Sequence, residues 1–98
     1  MFEWDERKRA SNLAKHGIDF KDAATIFGGV VIEAEDDRHE YGERRIGAFG
    51  ETRSGDIVLV LYTWRNGRRR IISARRAGRD EVEDYRRAAA DARQDRLE

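Results

Sequence analysis

The sequence predicts an α+β domain: two N-terminal helices, a four-stranded antiparallel sheet and a C-terminal helix. Apolar residues keep helical spacing as far as Gly28 and Gly29, and four apolar or alternating runs then follow at the short intervals typical of hairpins. A last apolar stripe with helical spacing ends the chain. At this length we expect one domain over residues 1–98, with a charged tail from about residue 93.

Two helices are expected before the first strand. The first lies between the N-cap Asp5 and Gly17, and we expect its few apolar side chains, Ala10, Leu13 and Ala14, to face the core. The second begins at Asp19, with Ile18 packing back on it as a hydrophobic staple. Its inner face carries Phe20, Ala23, Ala24 and Phe27.

The predicted sheet occupies the middle of the chain. Its strands are Val30–Ile32, Arg44–Phe49, Ile57–Trp64 and Arg69–Arg75, and Phe2–Trp4 can add a short N-terminal strand. The third strand is apolar on both faces, so it should be central and covered on both sides. Asn66 and Gly67 predict a tight hairpin turn. The polar stretch from Glu33 to Glu40 is expected to be an exposed loop.

The last strand leads directly into the final helix. Strict alternation would place Arg69, Ile71, Ser73 and Arg75 on one face of this strand. The helix that follows presents one apolar stripe, made of Val82, Tyr85, Ala88, Ala89 and Ala92.

Composition argues against several function classes. Without cysteine there is no disulfide framework, thiolate metal site or cysteine nucleophile. No apolar run approaches the roughly 18 residues of a membrane helix, and the first residues lack the order of a signal peptide. We therefore expect a cytoplasmic protein that does not bind membranes. His16 and His39 have no paired spacing and no nucleotide-binding loop is present, so we expect neither a metal nor a cofactor.

Positive charge is concentrated in one block, although the formal net charge is zero. Residues 1–64 hold 9 Lys and Arg against 13 Asp and Glu, whereas residues 65–87 hold 9 Arg against 4 acids. Arginine suits bidentate contact with phosphate. Such a block in a neutral chain indicates local anion binding, although a solvated charged face fits the composition equally well.

The arginines around the last strand allow two interpretations. Arg75, Arg76 and Arg79 crowd the start of the final helix, where the helix dipole disfavours cations, and acids including Glu81 follow at once. In the first interpretation, arginines and carboxylates form a network that joins strand to helix. In the second, helix N–H groups and guanidinium groups converge on one phosphate. Spacing does not separate the two.

The other candidates also have structural interpretations. Lys15 and His16 lie in the last turn of the first helix, where cations match the dipole. His39 is expected to be a solvated side chain in an acidic loop. The larger aromatic residues are expected to be core rather than base-stacking platforms: Trp4, Tyr62, Trp64 and Tyr85.

Several segments resemble the BrnT toxin family. The opening pattern Trp4-Asp5-x-x-Lys8-x-x-x-Asn12-x-x-Lys15-His16-Gly17-Ile18-x-Phe20-x-x-Ala23 is similar to the signature of that family. Further matches follow in order: Glu43 to Gly47, Val60 to Arg65, Arg70 to Ala77, and Glu81-x-x-x-Tyr85. Gly78 departs from the family pattern, which usually has Ser or Thr there as a helix cap.

The resemblance implies a RelE-like fold and a toxin of a type II toxin–antitoxin system. It implies metal-independent RNA cleavage that inhibits translation, and a BrnA-like partner antitoxin with a ribbon–helix–helix domain. Operator DNA would then be bound only through the antitoxin, in a complex that represses its own operon.

Candidate roles follow for attack of a ribose 2′-hydroxyl on the adjacent phosphorus. We assign Arg65 and Arg75 to phosphate charge, Lys15 or His16 to assistance, Glu81 to a base or arginine-orienting role, and Tyr85 to base binding or acid catalysis if it is not core. Two other functions fit the same residues. One is a module that binds RNA or protein without cleavage, and the other is a corepressor that acts only within the antitoxin complex.

Overall fold

The computed structural model describes residues 1–38, 40 and 42–97, so His39 and its predicted solvent exposure lie outside the described residues. The elements are β1 (Phe2–Trp4), α1 (Glu6–His16), α2 (Phe20–Ala23), a 3₁₀ helix (Ala24–Gly28), β2 (Ile32–Glu35), β3 (Ile46–Glu51), β4 (Ile57–Arg65), β5 (Arg68–Arg76) and α3 (Arg79–Leu97). This confirms the predicted α+β class. No helix of the described residues is long and apolar enough to cross a membrane.

The sheet has five strands in the order β1-β5-β4-β3-β2. Strands β2 to β5 pair antiparallel, whereas β1, which the sequence offered as an optional N-terminal strand, pairs parallel with β5. The predicted four-stranded antiparallel sheet is therefore corrected to a five-stranded mixed sheet. The added strand forms because Phe2 and Trp4 pack against the main core, which orders the start of the chain. Strand β4 is central, as its apolar sequence predicted.

Strand β2 begins later than the sequence predicted. Pairing with β3 starts at Ile32, opposite Phe49, and continues to Glu35, so part of the expected polar loop belongs to the sheet. Val30 lies before the strand, and its carbonyl accepts a hydrogen bond of 2.7 Å from the Tyr85 hydroxyl. The Tyr85 side chain of α3 therefore bonds a backbone carbonyl that a neighbouring strand would otherwise have bonded.

Helix α1 turns a different side to the sheet than its apolar residues predicted. Ala10, Leu13 and Ala14 are exposed, with Leu13 at 45%, whereas Asn12 is 6% exposed. The Asn12 amide accepts from the Ala74 N–H at 3.1 Å and donates to the Ala74 carbonyl at 2.8 Å. Since β1 covers β5 only as far as Ile71, Asn12 takes the place of a strand beyond that point. Satisfying this buried backbone edge decides the orientation of the helix.

The two faces of the sheet carry separate apolar clusters. The main core lies under α1, α2 and the 3₁₀ helix, and the smaller one joins Ile57 to Tyr85 and Ala89 of α3. A register shift between Leu61 and Tyr62 leaves Ile72 of β5 as an extra residue. Ile71 and Ala74 therefore both face the main core, and the predicted strict alternation along this strand is wrong.

The aromatic residues divide between core and surface. Tyr62 and Tyr85 are buried and Trp4 is half-buried, as expected. Trp64 is 52% exposed, so the expectation that it is core is wrong. It lies near the end of β4, where the Arg69 guanidinium carbon is 4.6 Å from its ring centre. A cation–π contact with Arg69 thus covers part of a ring that the core does not bury.

Candidate active site

An open cleft of about 380 Å³ lies on the face of the sheet that α3 covers only in part. The helix reaches Ile57, but Leu59 and Leu61 further along β4 are half-buried and line the cleft. Gly47 and Phe49 of β3 complete an apolar floor. The prediction that β4 is covered on both sides is therefore wrong for the part of the strand beyond Ile57.

Ionisable side chains surround this floor. The cleft is lined by His16, Arg38 and Arg75, and by Glu33, Glu35 and Asp36. The acids come from β2 and the loop after it, while Arg75 comes from β5 on the other side of β4. Arg38 forms an ion pair of 2.8 Å with Asp36. One side of the cleft is therefore mixed in charge, and the other, toward β5, is cationic.

Arg75 is held in place by the first turn of α3. Its two terminal nitrogens donate to the two carboxylate oxygens of Glu81 at 2.8 and 3.0 Å. The same carboxylate accepts from the Gly78 N–H at 2.8 Å, in the manner of a capping box. Gly78 has no side chain for capping, so Glu81 performs that function. The predicted arginine–carboxylate network is therefore present at this pair.

The electrostatic consequence is a fixed, permanently charged pair. The hydrogen bonds from Arg75 and then from the Gly78 N–H lower the pKa of Glu81 to about 2. The pairing with Glu81 in turn raises the pKa of Arg75. The Arg75 side chain remains 42% exposed, so its guanidinium combines a fixed position with access from the cleft.

His16 and Ser73 both line the cleft near the open edge of β5. His16 ends α1, and its carbonyl accepts a hydrogen bond of 3.1 Å from Arg76. Ser73 pairs with Leu61 on β4, which places it on the cleft face beside Arg75. An imidazole, a hydroxyl and a guanidinium thus line one end of the cleft, and together they offer proton transfer and anion binding.

The structure brings together some of the predicted site residues and separates others. His16 and Arg75 line the same cleft, and Glu81 holds Arg75. Lys15 lies in a neighbouring groove. Arg65 lies six residues along β4 from Leu59, the partner of Arg75, which is roughly 20 Å at the rise of a strand. It donates to Glu43 at 3.3 Å, away from the cleft.

Tyr85 does not reach the cleft. It is 5% exposed within the smaller core, and its hydroxyl donates to the Val30 carbonyl. Burial raises the pKa of its hydroxyl. Its aromatic ring therefore packs α3 onto the sheet.

Ser73 was missed by the sequence analysis. Its only signal was a hydroxyl residue within a strand that is otherwise apolar or basic.

Among the described residues, no three His, Asp or Glu side chains are grouped so that they could hold a metal ion.

Comparisons with known proteins agree with this architecture. A sequence model described as the ribonuclease toxin BrnT of type II toxin–antitoxin systems matches residues 4–81. A crystal structure at 1.1 Å resolution of the Brucella abortus ribonuclease toxin BrnT is 30% identical in sequence, with a TM-score of 0.60. The match covers 81% of this chain and 99% of that chain. No curated protein matches the chain.

The family model covers most of the chain, and the solved structure agrees in fold. Membership of such a system implies an antitoxin partner. The chain therefore belongs to the BrnT family, the ribonuclease toxins of type II toxin–antitoxin systems.

Proposed function

We propose that this chain is an endoribonuclease that inhibits translation by cutting RNA, without a metal, at the end of the cleft lined by His16, Ser73 and Arg75. The observation that carries the proposal is the exposed Arg75 guanidinium, fixed by Glu81 beside an imidazole and a hydroxyl. Family membership supports ribonuclease activity for the chain as a whole. We also propose that its sheet and helices are related to those of the RelE-like toxins.

The reaction is attack of a ribose 2′-oxygen on the adjacent phosphorus. The new bond joins that oxygen to phosphorus, the bond from phosphorus to the 5′-oxygen breaks, and a 2′,3′-cyclic phosphate and a 5′-hydroxyl remain. One proton leaves the 2′-hydroxyl and one reaches the departing 5′-oxygen. General acid or base assistance to each of these proton transfers raises the reaction rate by roughly 10²–10⁴-fold.

The roles follow from what each group can do. Arg75 stays charged and stabilises the negative charge that develops on the phosphate oxygens. An imidazole can both accept and donate a proton, so His16 is the proton-transfer group. Ser73 donates a hydrogen bond to a phosphate oxygen or the 2′-hydroxyl. Glu81 orients Arg75, since a carboxylate whose pKa is about 2 is a poor base at neutral pH.

The apolar floor explains how a nucleotide would be seated. Leu59 and Leu61 offer a flat surface next to Arg75, so a base that is unstacked from single-stranded RNA can rest there while its phosphate reaches the guanidinium. A double helix would not present a base in this way. The cleft thus favours single-stranded substrate.

The partner we propose is a BrnA-like ribbon–helix–helix antitoxin that neutralises the toxin in the cytoplasm. Within this complex the antitoxin alone would contact operator DNA and repress the operon. An antitoxin that covers the cationic end of the cleft would block RNA without any change in the fold of the toxin.

Replacing Arg75 or His16 tests the catalytic assignment. We expect Arg75→Ala and His16→Ala to lower the rate of cleavage of labelled RNA by about 10²-fold or more, because each removes a group that acts on the transition state. Expression without antitoxin should then no longer arrest growth. Arg87→Ala is the matched control, since this exposed arginine lies on α3 outside the residues that line the cleft.

The assignment is wrong if both variants fold and still arrest growth as the parent does. Intact RNA that remains bound to the parent protein would instead support a binding module without cleavage. Absence of growth arrest by the parent protein would support a corepressor subunit.

A further inference from the structure

A second depression, of about 360 Å³, runs between α1 and the open edge of β5. We call it the α1 groove, and its cationic wall is formed by Arg7, Lys8 and Lys15. All three side chains belong to exposed residues. Arg7 and Lys15 are eight residues apart, so they lie on one side of the helix about two turns from each other.

The groove differs from the cleft in its charge. Glu33, Glu35 and Asp36 line the cleft, whereas no acidic side chain of the described residues lines the groove. Asp5, the N-cap of α1, lies at its far end, where its carboxylate accepts from the Arg7 N–H at 2.8 Å. The charged side chains that line the groove, Arg7, Lys8 and Lys15, are therefore all cationic, and such a lining attracts phosphate groups.

The groove and the cleft adjoin each other. His16 and Ser73 line both of them. The edge is open here because β1 ends opposite Ile71, so at Ser73 no strand pairs with the outer side of β5, whereas β4 pairs with its inner side. Asn12 fills that position with one amide, which holds α1 beside the strand and leaves its basic side chains free to face the groove.

The length of the groove suits several nucleotides. Arg7 and Lys15 are separated by roughly 12 Å along the helix axis, which is room for about two or three successive phosphates. The lining offers positive charge and no Phe, Tyr or Trp ring, and its one imidazole, His16, lies at the end next to the cleft, so the groove would hold a backbone and not read bases.

We propose that the α1 groove binds the phosphate backbone of single-stranded RNA on one side of the cleavage site, through Arg7, Lys8 and Lys15. This proposal rests on the proposed function, in which the adjoining cleft holds the phosphate that is cut. The groove would fix the position of the strand and add affinity that does not depend on sequence.

The test is the salt dependence of RNA binding. The probe is a 2′-O-methyl RNA oligonucleotide of about eight nucleotides, which binds but has no free 2′-hydroxyl for cleavage. The slope of log affinity against log salt concentration should fall by about 0.7 for each phosphate contact removed from a single strand. For the triple variant R7Q/K8Q/K15Q the magnitude of this slope should therefore be smaller by about 2, and the variant should bind the oligonucleotide about 10- to 100-fold more weakly at low salt.

The matched control is R86Q/R87Q/R93Q, which removes three exposed arginines from α3 and the same net charge. We expect its slope to stay near that of the parent. Equal slopes for the two triple variants would overturn the proposal, as would absence of oligonucleotide binding by the parent. Loss of antitoxin binding with unchanged RNA binding would also overturn it, because the groove would then be a protein interface.

The outcomes separate this proposal from the proposed function. If the parent does not cleave ordinary RNA but the groove variant shows the smaller salt dependence of RNA binding, the groove proposal is supported and the cleavage assignment is wrong. If the parent cleaves and the groove variant keeps the parent slope, the groove proposal alone fails.

Discussion

Asn12 closes the open edge of β5 with a single side chain. Its amide makes three hydrogen bonds: two with the Ala74 backbone and one, of 3.0 Å, to the Ile18 carbonyl. All of them are buried, so no water replaces a lost partner. Together with the bond from Arg76 to the His16 carbonyl, these bonds hold α1 against the sheet and set the position of His16, one turn further along the helix.

We expect Asn12→Ala to lower the free energy of unfolding by about 2–4 kcal/mol, because it leaves buried backbone groups of Ala74 without partners. Urea unfolding followed by circular dichroism measures the change. Ser11→Ala, at the exposed neighbouring position, should change it by less than about 0.5 kcal/mol. A similarly small effect for Asn12→Ala would show that the Ala74 N–H and carbonyl find other hydrogen-bond partners.

Arg75 and Glu81 show that two interpretations of a charged cluster need not compete. The pair joins β5 to α3 as a structural network would. The guanidinium that results is held rigidly and remains partly exposed, which is what a phosphate site requires. For Glu81, a structural role therefore supports the proposed chemical role of its partner.

At the scale of elements, the close approach of β3 to the 3₁₀ helix closes the main core. Gly50 of β3 is buried, and a Cβ atom built there would lie 2.6 Å from the Cβ of Ile26. Ile26 is fully buried, so neither backbone has space to move away. The glycine is required here because of contact between two elements.

Gly50→Ala is expected to reduce the free energy of unfolding by about 1–3 kcal/mol, since the added methyl group overpacks this contact. Thermal unfolding of the variant beside Gly28→Ala provides the comparison. A Cβ at Gly28 meets nothing within 4 Å, so Gly28→Ala should lower the free energy of unfolding only slightly. Equal stabilities of the two variants would argue against the close packing of β3 on the 3₁₀ helix.

The hairpin between β4 and β5 illustrates an element that local chemistry decides. Asn66 and Gly67 have φ values of 54° and 76°, the left-handed backbone that the Asn-Gly pair predicts for a tight turn. The turn starts an antiparallel pair that extends from Arg65 and Arg68 to Val58 and Arg76. Strand β5, and with it Arg75, is placed on the sheet by this pairing.

At the scale of the whole molecule, zero net charge conceals an uneven distribution. Cations gather along α1 and at the end of the cleft near β5, whereas acids lie near β2. Two of the carboxylates that pair with arginines have a strongly lowered pKa. Hydrogen bonds from Arg9 and from the Lys21 N–H lower the pKa of Asp19 to about 2, as Arg75 and Gly78 do for Glu81. Both pairs connect separate elements, so their ionisation adds to the stability of the fold.

Acid should therefore destabilise the protein in a defined window. The folded pKa of Glu81, about 2, lies below the reference value of 4.5, so its ionised form favours the folded state. This contribution is fully present above pH 4.5 and is lost as the pH falls toward 2. The side chains of the pair are 42% and 36% exposed, so screening by solvent reduces the contribution to about 1 kcal/mol.

Glu81→Gln checks this expectation, because it preserves shape and removes the charge. The parent should be more stable than the variant by about 1 kcal/mol at pH 6, and this difference should disappear once the pH has fallen through the folded pKa, at about pH 1.5. Urea unfolding of both proteins at the two pH values measures it. A difference that is independent of pH would mean that ionisation of Glu81 does not contribute to stability.

The sequence by itself determined the types and order of the elements, the hairpin turn, the central position of β4 and the motifs that resemble the family. These features depend on residues that are neighbours along the chain, and periodicity and turn chemistry report such local geometry directly. His16, Arg75 and Glu81 were also identifiable as candidates for the site.

Only the tertiary structure decided which faces meet. It buried Asn12 in place of Leu13, shifted the register after Ile71, and separated Arg65 from Arg75. It also joined α1 to the edge of β5, so that Ser73 and the α1 groove adjoin the cleft. The physical reason is that the partner of a face, and the backbone groups left to satisfy, depend on pairings between distant segments that no local pattern records.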